Sequence, residues 1–253
     1  MIEVFPVRTP TIPPATHTNC HLIGGVVIDP ASPDADEQER LFRWLDGRCT
    51  RILLTHHHAD HIGGVADLAA RTGAPVLAHR DARLPFPVQQ RLDDDDVIEA
   101  EGARLRCLHT PGHADGHLCF ELEGRGEVIV GDMLAGIGTI VLAGSEGDLG
   151  TYLQSLERLE ALGGVFYPAH GPALADGAAI AAAYRVHRLR RNEQLREALA
   201  ERAASTLFDL VETVYAGIPG VDPMMAAAQL YTHLRWMSER GEVLEGEQGW
   251  QIV

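Results

Sequence analysis

The sequence contains no lysine, so all 21 of its Lys and Arg positions are arginine. This absence excludes enzymes that form a Schiff base on lysine and nucleotide-binding proteins that need a P-loop lysine. Positive charge is scarce in general, because the formal net charge is −15. Binding to nucleic acid by bulk electrostatics depends on basic side chains that neutralise phosphates. The acidic balance therefore predicts that DNA is not a partner.

Cysteine and long apolar segments are also scarce. The four cysteines form no C-x-x-C pair, which predicts reduced thiols in a cytoplasmic protein rather than a disulfide framework. No apolar run approaches the roughly 20 residues that cross a bilayer. The first 14 residues lack the apolar core of a signal peptide. We expect a cytoplasmic protein without membrane contact.

The first 177 residues alternate short apolar strands, turns and single helices. Cys20 to Ile28 predicts a β-hairpin, and Arg51 to Thr55 predicts a buried strand that leads into a histidine cluster. Gly63 to Thr72 and Leu149 to Leu162 have the apolar spacing of helices. Residues 81–96 predict a loop. This order of elements is typical of an α/β protein with helices covering sheets.

The composition changes beyond Gly177. Residues 178–203 contain neither Gly nor Pro and predict a long helix, with six arginines against three glutamates. Two amphipathic helices and a hairpin follow, a pattern that resembles a winged-helix module. We therefore predict two domains, a catalytic domain over residues 1–203 and a winged-helix-like module over residues 204–253.

The strongest chemical signal is the run His56-His57-His58-Ala59-Asp60-His61, at the point where a predicted strand ends. Imidazole nitrogens and carboxylate oxygens bind zinc at similar distances of about 2.0–2.2 Å. Three further groups of the same type follow later strands: His113, Asp132 and His170. Together they could fill most of two metal coordination spheres.

This order of motifs resembles the metallo-β-lactamase superfamily over residues 1 to about 177. The resemblance implies a four-layer αββα sandwich that holds two Zn²⁺ ions, although the same ligands accept manganese or iron. It implies seven ligands: His56, His58 and His113 for the first metal, Asp60, His61 and His170 for the second, and Asp132 as the bridge. A hydroxide between the metals would be the nucleophile, and Asp60 would orient it.

Two other residues resemble supporting residues of the superfamily. Asp29 follows the strand GVVID and matches an early structural aspartate, while His117 matches a residue that often follows the third ligand. We expect both to lie behind the ligands and to position them, rather than to bind metal themselves.

The substrate is not determined by the fold. The glycine-rich stretch after Asp132, the segment from Tyr184 to Leu195 and the C-terminal module resemble the β-lactamase-like protein 2 group, which includes a single-strand endoribonuclease. Tyr184, Arg188 and Arg191 share one helix face and could hold an anionic group of a substrate. A solvated helix face is the alternative interpretation.

Three functions remain open from the sequence. The first is hydrolysis of a small-molecule ester, thioester or lactone, as in the glyoxalase II type, whose C-terminal region is built differently. The second is cleavage of short single-stranded RNA. The third is a DNA-binding regulator with a degenerate lactamase domain, which the complete ligand set and acidic tail disfavour. A homodimer is possible.

Overall fold

A computed structural model describes residues 1–202 and 204–253 of the chain. The strands are β1 (Glu3–Arg8), β2 (His17–Ile23), β3 (Val26–Ile28), β4 (Arg51–Leu53), β5 (Val76–His79), β6 (Gln90–Leu92), β7 (Val97–Ala100), β8 (Ala103–His109), β9 (Leu118–Leu122), β10 (Glu127–Gly131), β11 (Val165–Pro168), β12 (Val243–Gly246) and β13 (Gly249–Ile252). The helices are α1 (Ala35–Leu45), α2 (Ala59–Ile62), α3 (Val65–Thr72), α4 (Leu149–Glu160), α5 (Gly177–Ala200), α6 (Leu207–Val214) and α7 (Pro223–Glu239).

Two large mixed sheets lie at the centre of the molecule. The first has the strand order β1-β2-β3-β4-β5-β6, and the second has the order β11-β10-β9-β8-β7. Apolar side chains of both sheets pack together in one buried cluster that includes Ile28, Leu53, Cys107 and Phe120. Exclusion of this surface from water holds the two sheets face to face.

Helices cover the outer face of each sheet. Leu41 of α1 and Leu68 of α3 pack on the first sheet, and Tyr152 and Leu156 of α4 pack on the second. The amphipathic spacing of these helices turns their apolar side chains towards the sheets. The result is the α/β, αββα layering of the metallo-β-lactamase fold, as predicted.

The structure confirms the hairpin of β2 and β3, which pair antiparallel. It also corrects the prediction of a loop over residues 81–96, because this segment contains β6, which pairs parallel with β5. Strands β1 and β7 are further additions to the predicted elements.

The C-terminal elements pack around a buried cluster that crosses the predicted domain boundary. Leu195 and Leu199 of α5 lie in the same apolar cluster as Leu230 of α7 and Trp250 of β13. The predicted boundary itself falls at Ala203, which lies outside the described residues. The two helices and the hairpin are present, and their assignment to a separate winged-helix-like module stays a prediction. Among the described helices, none has the length and apolar character to cross a bilayer.

Candidate metal centre

The predicted ligands meet at one edge of the two sheets, where several strands end. His56 follows β4, Asp132 follows β10 and His170 follows β11. Gly131 makes the approach of Asp132 possible, since its φ is +49° and a Cβ there would lie 2.7 Å from His117 Nε2. Side chains that are distant in sequence are thereby brought to one place.

Three histidines form the first candidate metal position. His58 Nδ1 lies 2.9 Å from His56 Nε2 and 2.9 Å from His113 Nε2. These three nitrogens could hold one ion. The Nδ1 of His113 donates a hydrogen bond to the Val141 carbonyl at 3.0 Å, which leaves the Nε2 lone pair free to bind a metal.

The second candidate position is formed by Asp60, His61 and His170. The Nδ1 atoms of both histidines donate to protein oxygens, His61 to Asp29 Oδ2 at 2.8 Å and His170 to the His17 carbonyl at 3.0 Å. Their Nε2 atoms are therefore the ones available to a metal.

Asp132 lies between the two positions. One carboxylate oxygen, Oδ1, is 3.5 Å from His61 Nε2 and 3.4 Å from His170 Nε2, whereas Oδ2 is 3.5 Å from His113 Nε2. Ligand atoms that share a tetrahedral ion at about 2.1 Å lie about 3.4 Å from one another. The carboxylate thus faces both positions, one oxygen to each, and could serve as a ligand of two ions.

Two buried atoms at the second position lack a partner among the described residues. His61 Nε2 and Asp132 Oδ1 are both buried without a hydrogen bond. A buried acceptor or carboxylate oxygen without a partner is costly, and a cation placed between these atoms removes that cost. The residues present therefore fit a divalent metal.

The electrostatics of the two positions differ. Burial and neighbouring imidazoles lower the pKa of His56 well below its usual value and that of His58 to about 3, so both rings are neutral near pH 7. At the second position burial lowers the pKa of His61, but the carboxylates of Asp132 and Asp29 outweigh it and raise that pKa. Excess negative charge there favours a cation.

The predicted supporting residues lie behind the ligands. Asp29 is buried and accepts hydrogen bonds from the Thr55 backbone N–H at 2.8 Å and the Thr55 hydroxyl at 2.6 Å, in addition to His61. His117 Nε2 accepts from the Asp132 backbone N–H at 3.1 Å. Its other ring nitrogen lies 3.0 Å from the Thr110 hydroxyl. Neither belongs to a candidate ligand group of the described residues.

The predicted substrate-binding residues of α5 lie away from the cavity at the metal centre. Arg188 and Arg191 are buried, and their guanidinium groups donate to the carbonyls of Ile140 and Val214. The Tyr184 hydroxyl lies against the backbone of Ala135. None of the three lines the cavity at the metal centre. Helical spacing predicts their common face, but in the structure Tyr184 and Arg188 contact the backbone of the lining residues Ala135 and Ile140, and Arg191 contacts Val214.

The structure adds two residues that the sequence analysis missed. The Thr11 hydroxyl donates to Asp60 Oδ2 at 2.6 Å, and Glu146 Oε2 lies 3.2 Å from His57 Nε2. His57, His58 and Glu146 also lie close enough to form a third ligand-type group. These contacts join segments far apart in sequence, and no local motif marks them.

A cavity of about 550 Å³ opens at the metal centre. Its apolar walls include Ile12, Ile137, Ile140 and Met225. Among the described residues that line it, the only ionisable ones are candidate ligands: His58, Asp60, His113, Asp132 and His170. The arrangement can thus bind a neutral, mainly apolar group against two metal positions.

Comparison with known proteins agrees with this geometry. The model of the metallo-beta-lactamase superfamily matches residues 13–170. The chain is 35% identical to the lactamase-like protein adaB of Aspergillus niger over 80% of this chain and 69% of that protein. It is 37% identical to an atrochrysone carboxyl ACP thioesterase of Aspergillus chevalieri, over 69% of this chain and 58% of the relative, and 31% identical to one of Passalora fulva, over 93% and 76%.

Solved structures share the fold along the whole chain. The metallo-beta-lactamase family protein TTHA1429 of Thermus thermophilus has a TM-score of 0.85 at 25% identity, covering 100% of this chain and 98% of its own. The sequence relatives named above are fungal lactamase-like proteins and thioesterases. They do not point specifically to the β-lactamase-like protein 2 group, so the resemblance to that group stays a prediction.

Proposed function

Because the chain belongs to the metallo-beta-lactamase superfamily, we propose that this hydrolase cleaves the thioester of a mainly apolar acyl group at a two-metal centre. The observation that carries the proposal is the position of Asp132, which faces two groups of metal-binding side chains, one oxygen to each. The relatives named as thioesterases suggest the bond that is cleaved.

Two bound divalent ions, zinc by default, would activate water near neutral pH and polarise the acyl carbonyl. His56, His58 and His113 would hold one ion, Asp60, His61 and His170 the other, and Asp132 would contact both. The hydrogen bonds from the Nδ1 atoms of His61, His113 and His170 fix their ring orientations before any metal binds.

Asp60 is the proposed catalytic residue. The Thr11 hydroxyl holds its Oδ2, which lies 3.6 Å from His170 Nε2. The carboxylate can then accept a hydrogen bond from the attacking water and so orient it. It can also take up the proton of that water during the attack and deliver the proton to the departing thiolate. A held carboxylate loses less conformational freedom in the reaction than a mobile one.

The cavity wall favours an acyl substrate over RNA. Cleavage of a polyanion needs cationic groups along the strand. The described lining residues offer none, and Arg188 and Arg191 do not line the cavity but donate to the backbone carbonyls of Ile140 and Val214. The sequence also left cleavage of short RNA and of lactones as alternatives, and no contact in this cavity favours either reaction.

The proposal is tested by the release of thiol from a series of acyl thioesters of N-acetylcysteamine, with zinc-loaded protein. We expect kcat/KM to rise as the acyl group becomes larger and more apolar, because the cavity can bury it. Asp60→Asn should lower kcat by about 10²–10⁴-fold, the usual contribution of a general base.

The matched control is Asp67→Asn, whose carboxylate forms a surface ion pair with Arg71. This variant should retain wild-type turnover. Metal-loaded wild-type protein that releases no more thiol than Asp60→Asn would overturn the thioesterase proposal. Cleavage of a fluorogenic single-stranded RNA by the same preparation would then favour the phosphodiesterase.

A further inference from the structure

Residues 140–142 run beside the cavity, which Ile140 and Val141 line, and side chains from two different helices hold their backbone. Arg188 of α5 donates to the Ile140 carbonyl at 2.5 Å. Gln229 of α7 accepts from the Leu142 N–H at 3.0 Å, and Thr232 of α7 donates to the Leu142 carbonyl at 2.9 Å. Helix α7 thus binds both backbone polar groups of Leu142, the residue that follows the lining residue Val141.

The same segment contacts the first metal position directly. The Val141 carbonyl, between the two residues held by α5 and α7, accepts the Nδ1 proton of His113 at 3.0 Å. This hydrogen bond determines which ring nitrogen of His113 is free and in which direction it points. The orientation of His113 consequently depends on where Leu142 is held.

We propose that Gln229 and Thr232 are positioning residues of the first metal position. They hold Leu142 so that the Val141 carbonyl keeps His113 Nε2 directed at the metal. The inference rests on the proposed two-metal function and assigns to α7 a part in it. The helix also supplies Met225 to the cavity wall.

The polarity of Gln229 supports a positioning role over simple packing. Its side chain is buried, and its Nε2 has no hydrogen-bond partner among the described residues. Retaining a buried amide with an unpaired donor is costly, and an apolar residue of similar volume would pack at lower cost. The contact with Leu142 is the interaction of this side chain that offsets that cost.

The test uses full-length Gln229→Met and Thr232→Val, alone and combined. Metal affinity is measured by competition with a chromophoric chelator, and ligand geometry by the visible spectrum of the cobalt(II)-loaded protein. Loss of support behind a ligand typically weakens metal binding by about 10–100-fold. We expect a loss of that size for one ion, an altered cobalt spectrum, and the second ion retained.

Matched controls make the same kinds of contact elsewhere. Gln89 accepts from the Val76 N–H at 2.8 Å, and Thr213 donates to the Asp209 carbonyl at 2.9 Å. Gln89→Met and Thr213→Val should leave affinity and spectrum unchanged. Gln229→Glu and Thr232→Ser keep the contacts with Leu142 and should show the metal affinity and the cobalt spectrum of the wild type.

Wild-type affinity and spectrum in the double variant would overturn the inference while leaving the metal centre intact. Equal losses in the control variants would also overturn it, because the effect would then be one of general stability. A wild-type protein that binds no metal would instead overturn the proposed function, so the two failures are distinguishable.

Discussion

Asp132→Ala is expected to lose most of the bound metal and nearly all hydrolysis. The substitution removes the carboxylate that faces both metal positions, which lies 3.5 Å from His61 Nε2 and 3.4 Å from His170 Nε2. Bound metal stabilises the transition state by several kcal/mol, so a loss of about 4 kcal/mol corresponds to about a 10³-fold fall in kcat/KM. Elemental analysis and thiol release measure the two effects.

The control for this variant is Asp94→Ala. Asp94 lies on the surface, where it pairs with Arg158, and it lies outside the cavity. Its loss should change neither metal content nor turnover. Asp132→Ala protein that retains two ions and wild-type kcat/KM would show that the bridging role is wrong.

The second large effect is expected at Asp29. Its carboxylate accepts from His61 Nδ1, the Thr55 N–H and the Thr55 hydroxyl, all buried. Asp29→Ala would leave two buried donors unpaired, the His61 Nδ1–H and the Thr55 backbone N–H, because the Thr55 hydroxyl also lies 3.0 Å from His56 Nδ1. At about 1–3 kcal/mol for each donor, the free energy of unfolding should fall by about 2 kcal/mol or more. Denaturant unfolding of the metal-free protein measures this loss.

Asp29→Asn separates folding from metal binding. Asn retains an acceptor for Thr55 and tolerates the left-handed backbone of this position, where φ is 53°. It presents an amide N–H towards His61 Nδ1 in place of one carboxylate oxygen. We expect a small loss of unfolding free energy and a roughly 10–100-fold weaker second metal. Unfolding and metal binding that both match wild type would refute this role of Asp29.

The order of the strands and the principal helices could be predicted because their patterns are local. Leu149, Leu156 and Leu159 repeat at helical spacing, and α4 buries them. Strand β6 has only three residues, and β1 contains Pro6, so neither gives a clear alternating signal. Their pairing depends on neighbouring strands that a local pattern does not reveal.

The candidate site also combines residues that the sequence predicts with residues that only the structure reveals. Four of its groups lie within six residues, from His56 to His61, so the sequence alone brings them together. Thr11 contacts Asp60 across a sequence separation of 49 residues, and Gln229 contacts Leu142 across a separation of 87 residues. Only the tertiary fold creates those contacts, and the spacing of residues along the chain cannot indicate them.

Arg188 and Arg191 show the limit of reasoning from helical spacing. The spacing predicts that they share a face of α5, but the partners of that face are Ile140 and Val214 of α6, which a local pattern does not reveal. In the structure Arg188 lies over the Tyr152 ring and Arg191 over the Tyr215 ring. Two charged side chains that the sequence analysis assigned to a substrate-binding face are instead buried, and they bind backbone carbonyls.

The number of metal ions per chain tests the central claim most directly. Elemental analysis of metal-loaded wild type, His113→Ala and His170→Ala compares the intact site with losses at the first and the second position. Two ions in wild type and about one in each variant are expected, because each histidine belongs to a different group. A single ion in wild type, or variants that keep both ions, would contradict the two-metal account.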